Sequence, residues 1–68
     1  MSTTITIHQN ATEEQVQKVV EELGELLSRF GVTDWKREGK TIVFERTVSS
    51  EEKGAFLMIP RVLGVAAE

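Results

Sequence analysis

His8 is the only imidazole in the chain, and there is no cysteine. A metal site or a histidine-activated nucleophile would need further ligands or partners within hydrogen-bond reach. Strand alternation places His8 on a polar face, where Glu45 is the candidate neighbour, so it reads as a surface histidine. Gly39-Lys40-Thr41 ends like a phosphate-binding loop, in which backbone amides cradle the phosphates and the lysine reaches the terminal ones. The position of that motif's first glycine is Asp34 here, a carboxylate that repels phosphate, and Thr41 opens a strand where a helix is required. The match is therefore rejected. Glu13, Glu14, Glu21, Glu22 and Glu25 could supply carboxylates for acid–base work, but a working pair needs burial to split its pKa values. Their spacing puts them on the outer face of a helix, where they solubilise it or meet a basic partner. One histidine and one aspartate leave little from which to build an active site. The expectation is a non-enzymatic protein with no metal and no cofactor.

A second constellation is basic. Lys36, Arg37 and Lys40 cluster at a hairpin tip, with Trp35 and Arg46 in the same region. A basic ribbon with an aromatic residue can touch a nucleic-acid backbone. Asp34, Glu38 and Glu45 interleave with it, and the chain as a whole carries 8 basic against 11 acidic residues, net −3, with a pI of about 5.1. That balance argues against non-specific binding to nucleic acid or membranes, which calls for a basic excess. Weak nucleic-acid binding through the Lys36–Lys40 hairpin is kept as a third reading. Met1–Ile7 has neither the positive flank nor the apolar run of a signal peptide. The longest apolar run, Ala55 to Ile59, is far too short to span a bilayer. The expected location is the cytoplasm.

The elements that must position these residues follow from periodicity. The 68 residues allow a single domain, 1–68, with a small core and no disulfide to staple it. Thr3 to His8 alternates with β-branched residues, a half-buried strand. Thr12-Glu13-Glu14-Gln15 fits a capping box. Val16, Val20, Leu23, Leu27 and Phe30 then recur at helical spacing, with Val19 and Leu26 widening the stripe, until Gly31 supplies a left-handed stop. This predicts a helix over about 13–30. Val32–Arg37 and Thr41–Val48 read as two strands joined around Glu38-Gly39. Core burial favours an even loop pairing Trp35 with Ile42 and Thr33 with Phe44. Ser49-Ser50-Glu51-Glu52 is a second capping box, and Ala55, Phe56, Ile59, Val62, Leu63 and Ala66 continue at helical spacing past Pro60. That predicts a short, kinked C-terminal helix, with Ala55–Ile59 as a strand the rival reading.

The result is an α+β, two-layer sandwich in β-α-β-β-α order. A right-handed crossover makes the first two strands parallel, with the third between them in order 1-3-2. The long helix covers Ile5, Ile7, Trp35, Ile42 and Phe44. Ten of the fourteen residues from Ala55 to Glu68 are apolar, more than one extra helix can bury. An exposed apolar patch usually marks an interface. Leu57, Met58 and Val65, with Arg61 as a polar anchor, are the candidate protein-binding residues. The leading expectation is a protein-binding module that regulates or inhibits a partner by occupying its surface. The alternative is a homodimeric structural or assembly component, self-association being the commonest arrangement of small oligomers.

No specific motif matches a family. The stretch Trp35-Lys36-Arg37-Glu38-Gly39-Lys40-Thr41-Ile42-Val43-Phe44-Glu45-Arg46 resembles the hairpin of small bacterial proteins from the polyhydroxyalkanoate-granule region. The likeness covers under half the chain and stops before the apolar tail. In size and lack of chemistry the chain is similar in format to the small inhibitors of phages and mobile elements, such as anti-CRISPR proteins.

Overall fold

A computed structural model describes residues 1–67; Glu68, the end of the apolar tail, lies outside the described residues. The chain is α+β: β1 (Thr3–Ile7), α1 (Glu13–Arg29), β2 (Lys36–Glu38), β3 (Thr41–Phe44), α2 (Ser50–Leu57) and β4 (Val62–Ala67). The strands form one antiparallel sheet in the order β2-β3-β1-β4. Two β-α-β crossovers interleave in it, and both helices lie on one face. The inner order 1-3-2 is as the sequence predicts. The three-stranded sheet is corrected to four, because the C-terminal segment adds a strand at the other side of β1.

Both ends of α1 are written locally. The Thr12 hydroxyl accepts from the Gln15 amide and the Gln15 side chain accepts from the Thr12 amide, completing the capping box. At the far end Gly31 adopts a φ of 80°. Its N–H donates to the Ser28 carbonyl, and the Val32 N–H donates back to Leu27, the paired bonds of a Schellman motif. Val32 is consequently buried. Of the expected second strand Val32–Arg37, only Lys36 and Arg37 join the sheet, with Glu38 added beyond it, since Val32 is held against the helix end. The hairpin is even, with Gly39-Lys40 as its loop and φ of 62° at Gly39 alone, the pattern of a II′ turn. Its register differs from expectation by two residues: Arg37, not Trp35, faces Ile42. A two-residue shift preserves parity, so Trp35 stays on the helix side.

The tail departs most from the sequence reading. Helix α2 begins with its own capping box, Ser49 with Glu52, and stops at Leu57. Pro60 ends any continuation, and Arg61 takes φ of 71°, which turns the chain into β4. Neither a kinked helix through Ala66 nor a strand over Ala55–Ile59 forms. The segment Val62–Ala67 instead pairs with β1, whose second edge would otherwise be left open.

The core lies between the sheet and the two helices. Thr3, Ile5 and Ile7 of β1 and Ile42 and Phe44 of β3 face Val16, Val19, Leu23 and Leu27 of α1, with Phe56 from α2 and Val65 from β4. Phe56 is the one residue that α2 buries completely. Its ring meets Phe30 edge-on at 5.5 Å and Phe44 at 6.4 Å. Trp35 packs over Gly24 of α1, where a Cβ would stand 3.2 Å from its ring. Arg46 links the layers, donating to the Phe30 carbonyl at 2.7 Å and to Glu52 at 2.8 Å.

Candidate protein-binding surface

Among the predicted contact residues, Met58 follows α2 and is 85% exposed. Its position is set by the capping of α2: Phe56 is drawn into the core, so the next two residues rotate outward. Met58 forms one lip of an open groove of about 370 Å³ between the C-terminal half of α1 and the end of α2. Leu26, Ala55, Ile59 and Pro60 make the apolar lining, and Glu22, Glu25 and Arg29 rim it from α1. With two carboxylates against one guanidinium, the rim is net negative.

The other predicted residues do not converge there. Leu57 is 44% exposed but is not part of the groove wall. Arg61 belongs to a separate, polar depression with Thr12, Glu14, Gln15 and Lys18 at the start of α1. Val65 was expected on the contact surface but lies in the core opposite Ile5, because a strand sends alternate residues inward. The exposed large apolar residue of β4 is Leu63 instead, at 60%. Sequence reading missed Leu63, which it assigned to a helix face. It also missed the contribution of α1. Leu26 was legible as a residue widening the helical stripe, but its meeting with Ile59 is long-range.

The basic hairpin is largely engaged with the chain itself. Arg37 forms an ion pair with Glu13 at 2.7 Å and also donates to the Gly39 carbonyl. The Lys40 ammonium donates to the Gln9 carbonyl. Lys36 remains exposed on the side away from the helices, opposite Val43. That open sheet face carries Thr4, Thr6, Thr41, Val43, Gly64 and Ala66, whereas Trp35 and the three phenylalanines lie on the helix side. It therefore offers no aromatic platform on which bases could stack.

His8 is exposed, and its Nδ1 accepts from the Asn10 amide. Glu45 is not its neighbour. The antiparallel pairing of β1 with β3 brings His8 to the hairpin end and leaves Glu45 at the opposite end. Among the described residues there is no cluster of acidic, histidine or cysteine side chains suited to a metal ion, and no helix is long and apolar enough to cross a membrane. Glu52 sits between the N-cap of α2 and Arg46. The Ser49 backbone N–H and the Arg46 guanidinium hold its carboxyl below the usual carboxylate range, against partial desolvation.

The chain matches no family model, no curated protein and no solved structure.

Proposed function

We propose that this chain is a non-enzymatic, cytoplasmic protein-binding module that regulates or inhibits a partner by docking through the groove between its helices. The observation that carries the reading is Met58, a large apolar side chain 85% exposed at the lip of an apolar, acid-rimmed groove. Methionine adapts its shape to partner surfaces at little cost in packing. Leu26, Ile59 and Pro60 can seat one or two apolar side chains, and Glu22 and Glu25 favour a lysine or arginine beside them. The partner segment is therefore apolar with basic flanks. The nucleic-acid reading is weaker, since Arg37 and Lys40 are held within the chain and the open sheet face lacks aromatic rings.

Panning a random peptide library against the intact chain tests this directly. Enriched peptides should combine a large apolar residue with lysine or arginine. Met58→Asp should lose them while keeping the circular dichroism of the wild type, and Glu22→Lys with Glu25→Lys should shift selection away from basic flanks. If no family of peptides is enriched, or if the enriched peptides bind Met58→Asp as well as the wild type, the groove is not a docking site.

A further inference from the structure

The sheet has two unequal edges. β2 is three residues long, and all three, Lys36, Arg37 and Glu38, are charged and exposed. Short, charged edges are how sheets avoid joining other chains. β4 forms the other edge, and its six residues Val62–Ala67 contain neither a charge nor a proline.

The direction of β4's backbone groups follows from the bonds made by β1. The Ile7 N–H donates to the Lys40 carbonyl, on the β3 side, at 2.8 Å. The His8 N–H donates to the Arg61 carbonyl, on the β4 side, also at 2.8 Å. Successive residues of a strand alternate in this respect, so Thr4 and Thr6 turn their backbone groups toward β4, where they face Ala66 and Gly64. Val65 and Ala67 consequently turn their own N–H and C=O groups to the free edge. The irregularity in the ladder falls earlier, where β4 carries an extra residue between the partners of Thr6 and Ile7, and the pairing from Gly64 to Ala67 is regular.

We infer that β4 pairs antiparallel with β4 of a second copy, joining two four-stranded sheets into one. Residues facing each other across such a ladder share a face of the sheet, so partners must have like parity. A register centred on Val65 satisfies this. Val65 meets Val65 on the two-fold axis and exchanges both of its outward bonds, and Gly64 faces Ala66 on the open side. Leu63, 60% exposed, lies against Ala67 of the partner. Between Leu63 and Ala67 only small or aliphatic side chains meet, and no like charges are opposed. The contact is isologous and closes at two copies. A second copy is the occupant because the strand complements itself in this register. It also gives a 68-residue chain without a disulfide a longer continuous sheet.

Sedimentation equilibrium and amide exchange on the full chain test the pairing. The mass should rise from 7.6 kDa toward twice that value as concentration approaches about 1 mM, and exchange at the Val65 and Ala67 amides should slow in step. Leu63→Lys, which places a charge at an exposed position of the edge, should stay folded and weaken the dimer at least about tenfold. Met58→Asp should dimerise like the wild type, so failure of the groove reading leaves this one standing. A mass of 7.6 kDa throughout overturns the inference, and so does a dimer that Leu63→Lys does not weaken or that leaves Val65 and Ala67 exchanging freely.

Discussion

Replacing Phe56 with alanine removes the only side chain by which α2 is fully anchored in the core. The ring is wholly buried, and its contacts with Phe30 and Phe44 join α2 to the C-terminal end of α1 and to the sheet. Truncating a buried phenylalanine costs about 3–5 kcal/mol, part of it from the cavity left behind. The edge-on contact with Phe30 accounts for roughly 0.5–1.5 kcal/mol of such a loss. A domain of this length has a total stability of roughly 3–10 kcal/mol. Phe56→Ala should therefore take between a third and the whole of it. Urea titration followed through Trp35, the only tryptophan and itself packed on α1, reads the change. With a slope of about 1 kcal/mol per molar urea, the midpoint should fall by about 3 M or more, or the chain should be unfolded without denaturant. Phe56→Leu, which keeps most of the volume but loses the ring contacts, should cost roughly 1–2 kcal/mol and keep the measurement in range. Leu57→Ala, one residue along and 44% exposed, should cost well under half as much as Phe56→Ala. If Phe56→Ala costs less than Leu57→Ala, α2 does not face the core as described, and Met58 loses its placement beside the groove.

Two further outcomes are expected. Glu52, held low by Ser49 and Arg46, contributes stability that is complete above the ordinary carboxylate pKa of about 4.3 and is lost as pH falls through its depressed folded-state value. Acid unfolding curves of Glu52→Gln should accordingly show a smaller loss of stability below that pKa than the wild type, and identical curves would remove Glu52 from the account. Gly24→Val should destabilise by about 1–3 kcal/mol and shift Trp35 emission toward the red, because its side chain enters space that the indole ring occupies at 3.2 Å from a Cβ.

The parts of the fold legible in the sequence are those with local causes. Thr12, Gln15, Gly31 and Val32 mark the ends of α1 within a few residues of each other, and both caps form as read. Ser49 and Glu52 mark the start of α2 in the same way. The hairpin was legible in its parity but not in its register, since a shift of two residues buries the same face. β4 was not legible, for three physical reasons. Ala55, Phe56, Ile59, Val62, Leu63 and Ala66 happen to fit helical spacing, and the extra residue of the bulge interrupts strand alternation. The turn that separates α2 from β4 requires an arginine at φ of 71°, a conformation that side chains other than glycine seldom take. Finally, what holds Val62–Ala67 extended is the unpaired edge of β1, some sixty residues earlier. The candidate surface divides on the same lines. The outward turn of Leu57 and Met58 follows from composition, whereas the groove exists only because tertiary packing sets Leu26 beside Ile59 and Pro60.

The apolar surplus of the last fourteen residues is resolved by division. Phe56 and Val65 go inside, and Ile59 and Val62 are partly covered. Leu57, Met58 and Leu63 remain in contact with solvent, and they do not form one patch. Met58 stands on the helix layer at the groove, while Leu63 lies on the sheet edge. That separation has a functional consequence if both proposals hold. Pairing through β4 extends the sheet within its own plane, so it leaves the helix layer of each copy uncovered. A two-fold dimer then carries two acid-rimmed grooves on the same side of one continuous sheet. A partner with two apolar, basic-flanked segments at matching separation would bind both, and the second contact would form at the high effective concentration that tethering confers. Leu63→Lys would then lower the apparent affinity for a bivalent partner without altering the intrinsic affinity for a single segment, whereas Met58→Asp would abolish both.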